Sequence, residues 1–489
     1  MIYIHLSGHN FEYEVRELTR VFFFNEEIKF IDNIDEYKEG ILINSRLNDD
    51  GKKLESVVEI YEDNQLVYFD TLDIDTIDIG RDDVYKKIKV GITANLYNGL
   101  NIISLAKAPW GILTGVRPLK IVHDLLDKNY SLHSINRILT EGYKLFPEKA
   151  DLLINIAIKQ RKYIYPLDKR RFSLYIAIPF CPTRCIYCSF PSCSIDRYGD
   201  MVDIYTDKLI YELNEIGKLM EDYYISTVYI GGGTPTAIPA KNLERIIKTV
   251  YNNFDKEKIQ EFTVEAGRPD TINYEILEML KDNHISRISI NPQTMNDKTL
   301  KLIGRKHTSW DIVDVYRKAR EVGFPVINMD LIVGLPSEGV EEIKMTLNRI
   351  EELDPENLTV HTLAVKRGSK FKDVMDQYQI NDQNIINQML KETSNFAKRM
   401  GLEPYYLYRQ KLMLGNFENV GYAKKGKECL YNIKMMEEKE TIIAAGMGAI
   451  SKIYYPEEDR IERVPNVKSL MEYIDRVDEM IERKRRFIS

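Results

Sequence analysis

The chain has 489 residues, 44% of them hydrophobic, enough for one large domain and one or two smaller ones with cores of their own. Its formal net charge of −7 excludes a general attraction to nucleic acid or anionic lipid, and the basic runs Lys169-Arg170-Arg171 and Arg483-Lys484-Arg485-Arg486 read as solvated surface. No segment approaches the ~18 consecutive apolar residues of a membrane span, and MIYIHLSGHN lacks the basic and apolar regions of a leader, so a cytoplasmic protein is expected.

Residues 1–80 alternate short β-branched runs (MIYIHL, EGILINSRL, LESVVEIYED, QLVYFDTLDI) with polar turns, predicting a small α+β domain with one helix near FEYEVRELTRVFF. Residues 81–168 turn to helical spacing in DDVYKKIKVGITANLYNGL, LKIVHDLLDK and EKADLLINIAIKQRKYIY, a helical connector. From 169 to 370 six nearly continuous apolar runs, SLYIAIP, STVYIGGG, QEFTVEAG, RISIN, FPVINMDLIVG and ENLTVHTLAV, read as strands buried on both faces. Five helical patterns separate them, with Ser309 as the expected N-cap of the fourth. This α/β alternation predicts a parallel sheet, open or closed into a barrel, with functional residues at the C-terminal strand ends. Residues 371–489 read as a mainly helical C-terminal cover.

Four of the five cysteines lie within 181–193, too few and too clustered for a disulfide framework. Cys181, Cys185 and Cys188 form C-x3-C-x2-C directly after the first apolar run of the alternating region. A loop this short wraps three corners of an iron–sulfur cubane and leaves one iron open to an outside ligand. Structural zinc, with Cys193 as fourth ligand, and incidental packing cysteines are the alternatives; Cys429 reads as a small buried hydrophobe.

With Tyr187 just before the third cysteine, this loop resembles that of the radical S-adenosylmethionine (SAM) enzymes. The resemblance implies a partial (β/α)6 barrel, a [4Fe-4S] cluster held by three cysteines plus SAM, and Tyr187 stacked on adenine. The run Gly231-Gly232-Gly233-Thr234-Pro235-Thr236 after the second strand occupies the place where that family receives the SAM amino group, implicating Gly232, Gly233 and Thr234. Over 172–455, and upstream through WGILTGVRP, the sequence is similar to the oxygen-independent coproporphyrinogen III oxidase family, in its HemZ-type branch. Tyr175, Glu265, Gln293, Arg305 and Asp330 match that family's SAM-binding positions. Gln293 and Asp330 suit ribose hydroxyls, Glu265 a donor group and Arg305 a carboxylate. Ala364 and Ile450 align with positions of a second SAM site, but as apolar residues they read better as core.

The resemblance implies a radical oxidoreductase that removes hydrogen from coproporphyrinogen III propionates, which then decarboxylate to vinyl groups. It also implies a flavodoxin- or ferredoxin-like electron donor. Arg268, Arg367 and Arg409 are candidates for gripping propionates. Two departures separate this chain from the oxidases proper: Ala177 where they carry His, and Phe190 where they carry a fourth cysteine. CLYNIKMM also lacks the His-Asn-x-x-Tyr-Trp motif of the related haem-binding chaperones. Other readings are a radical enzyme acting on another tetrapyrrole, as in anaerobic haem breakdown, and a non-catalytic tetrapyrrole carrier with a structural cluster.

Overall fold

The computed structural model describes residues 1–489 apart from 25, 81–82, 365–368, 370, 372–381, 411–415 and 489. It divides into two compact units, residues 1–158 with 408–418, and residues 159–407 with 419–489.

In the first unit β1 (Ile2–Ser7), β2 (Ile28–Phe30), β3 (Ile41–Asp49), β4 (Leu54–Glu62) and β5 (Gln65–Asp73) form one sheet in the order β2-β1-β3-β4-β5. The helix Glu12–Phe22 carries the crossover between the parallel strands β1 and β2, and the helix Val84–Ile103 packs across β4 and β5. Ile4, Ile43, Val58, Leu96 and Leu100 are buried at this core. WGILTGVRP has a structural task in this unit. The Trp110 indole is buried, donates to Glu418 at 2.7 Å, and lies under the Arg409 guanidinium at 5.0 Å.

The second unit is built on an 11-stranded sheet. Its centre is six parallel strands, neighbours in chain order: β6 (Arg171–Ile178), β9 (Tyr224–Gly232), β10 (Glu261–Val264), β11 (Arg287–Ser289), β12 (Ile327–Val333) and β13 (Asn357–Thr362). The crossover helices include Val202–Leu219, Ala240–Asn253, Tyr274–Asp282, Ser309–Glu321 and Val340–Glu351. This is a partial (β/α)6 barrel. The fourth of these helices is capped one residue earlier than expected. Thr308 Oγ1 accepts from Asp311 N at 3.3 Å, while the Ser309 hydroxyl accepts from Arg349 at 2.9 Å.

The C-terminal region is mainly helical, and it also lengthens the sheet at both ends. β14 (Glu403–Tyr408) and β15 (Asn419–Ala423) lie beyond β13, while β16 (Thr441–Ala445), β17 (Ile450–Tyr455) and β18 (Arg460–Pro465) lie beyond β6. Both basic runs contain a residue that is not surface. Arg171, at the start of β6, pairs with Glu440 at 2.5 Å. In the final helix, Val477–Ile488, Val477, Met480, Ile481 and Lys484 share the buried face. Lys484 is fully buried, its ammonium 2.7 Å from the equally buried Glu212.

Candidate active site

The cysteine loop leaves the C-terminal end of β6 and is fastened at its root and its tip. At the root, the short strands β7 (Phe180–Cys181) and β8 (Cys193–Ser194) pair in parallel, and Cys193 N donates to the Pro179 carbonyl at 2.7 Å. At the tip, Ile186 N donates to Ile303 O at 3.2 Å and the Thr183 hydroxyl to Gly304 O at 3.0 Å.

Burial pushes the Cys181 thiol up to about 11, and the neighbouring Cys188 and Cys185 add to the rise. A buried thiol of this kind becomes a thiolate ligand when a cation arrives. Cys193 stands at the root of the loop, on β8, opposite Phe180 of β7. Among the described residues no three His, Cys, Asp or Glu side chains converge as the ligands of a single ion do. Cys429 is buried elsewhere, its thiol donating to Glu261 at 3.2 Å.

The glycine run is fitted against this loop. Gly233 N donates to Ile178 O at 2.7 Å, and Thr234 N to Phe180 O at 2.8 Å. The Thr234 hydroxyl lies 3.5 Å from Cys181 Sγ. A Cβ at Gly233 would stand 2.7 Å from Phe180 O and 3.0 Å from Cys181 Sγ, and Gly232 has φ +110°, a conformation that side chains disfavour.

Inside the barrel the sequence-predicted residues converge from separate strands. Tyr175 on β6 stacks with Tyr229 of β9 and with Tyr431, at centroid distances of 6.3 and 6.2 Å, and Tyr229 stacks on Tyr431 at 4.5 Å. Tyr431 arrives on the helix Leu430–Glu437, whose N-terminal amides Leu430 N and Tyr431 N donate to Glu261 at 3.0 and 3.2 Å. Glu265, just past β10, accepts from the Tyr229 hydroxyl at 2.5 Å. Burial raises its carboxyl to about 7; the Tyr229 bond opposes that rise and the nearby Asp330 adds to it. Asp330 on β12 accepts from Asn328 at 2.7 Å and stands 3.8 Å from His361 Nε2 of β13.

Gln293 combines a strained backbone with an unpartnered buried side-chain oxygen. Its backbone is left-handed at φ +66°, pinned by hydrogen bonds with Asp330 O and Ile332 N, and its buried Oε1 has no hydrogen-bond partner among the described residues. Arg305 is buried, so it is not a surface charge. It donates to Asn291 O at 2.6 Å and to the Tyr187 hydroxyl at 3.4 Å, and its Nε has no partner among the described residues.

The Radical SAM superfamily model matches residues 175–350. The chain is 40% identical over 416 residues to the oxygen-independent coproporphyrinogen-III oxidase-like protein HemZ of Bacillus subtilis (strain 168), over 84% of this chain and 83% of that protein. The chain belongs to the HemZ/HemN-type family of radical SAM proteins. A [4Fe-4S] cluster and SAM are the cofactors of this family, and the three-thiol loop fits such a cluster. The solved structure of HemN from Escherichia coli, described as coproporphyrinogen III oxidase and a radical SAM enzyme, aligns with a TM-score of 0.52 at 25% identity, over 66% of this chain and 73% of that one. The HemZ/HemN-type chain is also 30% identical over 311 residues to the heme chaperone HemW of Bacillus subtilis (strain 168), over 63% of this chain and 76% of that protein.

Several residues answer differently from expectation. Arg268 and Arg409 are buried and committed to internal partners, which removes both as propionate grips; Arg367 lies outside the described residues. Ile450 is 41% exposed at the start of β17, so it is not core. Ala177 packs against Ala444 and Ala449, and a larger side chain there would meet the turn at Gly446. Tyr229, Tyr431 and His361 were missed. Tyr229 had a legible signal, standing two positions before Gly231 and so on the same strand face; Tyr431 had none, because its helix is distant in sequence.

Proposed function

We propose that this HemZ/HemN-type protein carries out the oxygen-independent oxidative decarboxylation of coproporphyrinogen III propionates to vinyl groups, giving protoporphyrinogen IX. The observation that supports this reading is the loop carrying Cys181, Cys185 and Cys188 at the end of β6, fitted against the glycine run, with Tyr175 of the same strand stacked on Tyr229 and Tyr431. Cys181, Cys185 and Cys188 would hold the cluster. Tyr175, Tyr187, Gly232, Gly233, Thr234, Glu265, Gln293, Arg305 and Asp330 would hold SAM. When bound and reduced, this pair supplies a carbon-centred radical able to remove a hydrogen atom from an unactivated carbon.

The chain's own residues then have three tasks. The tyrosine stack limits water beneath the site, which protects a reactive intermediate. Gln293 Oε1 and Asp330 offer acceptors for hydroxyl groups. Glu265, neutral over much of the range below pH 7, either accepts or donates a hydrogen bond without adding charge. A flavodoxin- or ferredoxin-like protein is the proposed electron donor.

The test is anaerobic reconstitution followed by dithionite, SAM and coproporphyrinogen III, with 5′-deoxyadenosine and decarboxylated porphyrin as readouts. Both products are expected. Absence of deoxyadenosine from iron-loaded protein would sink the radical reading; deoxyadenosine without vinyl product would discard the substrate alone. A tetrapyrrole carrier is the second reading, favoured by the similarity to the heme chaperone. Tight haem binding without SAM cleavage would decide for it.

A further inference from the structure

The turn after β10 sends two side chains to different places. Glu265 joins the tyrosine stack, whereas Arg268, three residues on, reaches the cysteine loop. Arg268 is 4% exposed. Its Nε and Nη2 donate to the two carboxylate oxygens of Asp270 at 3.0 and 2.8 Å, a fork that fixes the plane of the guanidinium. That plane aims Nη1 at Thr183, where it donates to the carbonyl at 3.1 Å and to the hydroxyl at 2.7 Å. Thr183 lies midway between Cys181 and Cys185, and its hydroxyl passes the contact on to Gly304 O at 3.0 Å. His307 Nδ1, 3.8 Å from Asp270, closes the far side.

A loop of irregular backbone loses conformational freedom when it takes up a cluster, and contacts that order it beforehand reduce that loss. None of these groups is a cysteine or one of the family's SAM-binding positions. We propose that Arg268, anchored by Asp270, is a positioning residue that holds the Thr183 bend so that Cys181 and Cys185 are presented together to the cluster. The proposal rests on reading Cys181, Cys185 and Cys188 as the ligands.

The test compares wild type, Arg268→Gln, Arg268→Lys and Thr183→Val after anaerobic reconstitution. Iron and sulfide per chain and the rate of iron loss to a chelator are measured well below the melting temperature, where global unfolding contributes little. Circular dichroism and thermal unfolding of each apoprotein report folding separately. Arg268→Gln is expected to fold and to release iron about 10- to 100-fold faster, the range seen when outer partners of metal ligands are removed. Arg268→Lys keeps the charge but loses the fork, and should release iron as fast as Arg268→Gln. Thr183→Val leaves the Arg268–Asp270 pair intact and should move the rate in the same direction by less; it decides the question if Arg268→Gln does not fold. Wild-type release rates in folded Arg268→Gln or in Thr183→Val would overturn the proposal, as would full rescue by lysine. A wild-type protein that binds no iron would instead remove the ligand reading beneath it.

Discussion

Replacing Glu265 by Gln tests whether the barrel interior holds a neutral acid. The wild-type carboxyl is raised from 4.5 to about 7. At about 1.36 kcal/mol per pH unit, that gap corresponds to about 3 kcal/mol. The sign follows from proton binding. Below pH 4.5 the group is protonated in both folded and unfolded chains. Between 4.5 and about 7 the unfolded chain releases its proton while the folded chain keeps it, so stability falls as pH rises; above about 7 the whole penalty is present. Gln mimics the protonated acid at every pH, and its carbonyl still accepts from Tyr229. The SAM-free Glu265→Gln protein should therefore match wild type near pH 4.5 and melt several degrees higher at pH 8, the two curves diverging between. Thermal unfolding from pH 4.5 to 8.5 measures this directly. Parallel curves, or a less stable variant at pH 8, would refute the assignment of a buried neutral acid at this position.

Serine at Cys181, Cys185 or Cys188 should abolish cluster loading and deoxyadenosine formation, whereas Cys193→Ser should retain iron; iron analysis and EPR of the reduced protein separate the two classes. Gly233→Ala should weaken the loop and SAM binding together, because its Cβ would stand 2.7 Å from Phe180 O and 3.0 Å from Cys181 Sγ; equilibrium dialysis with SAM gives the affinity. Lys484→Met should cost about 3–5 kcal/mol of stability by leaving the Glu212 carboxylate buried without its cation. The double variant with Glu212→Gln should recover part of that loss in thermal unfolding.

The cysteine spacing, the glycine run and the six apolar strands were legible because each is a local pattern: thiols within one loop, a backbone stripped of side chains, and short β-branched hydrophobic runs of the kind a sheet covered on both faces buries. The same local logic misassigned two arginines. Arg268 and Arg409 look like isolated charges in sequence, yet both are buried and donate to carbonyls from distant segments, Thr183 O and Leu113 O. Ser309 and Thr308 illustrate the limit on a small scale: both are competent caps, Thr308 caps the helix, and the Ser309 hydroxyl accepts from Arg349, 40 residues away.

By itself the sequence determined the alternation of strand and helix and the three-thiol loop, since both follow from spacing along the chain. Tertiary structure alone decided which side chains meet. Tyr431 stacks on Tyr229 from 202 positions away, and Lys484 finds Glu212 across 272. It also decided where the last strands go: β14 and β15 to one edge, β16 to β18 to the other. Periodicity specifies which face of an element is apolar, but not which open edge or buried partner completes it; that choice belongs to packing between segments far apart in the chain.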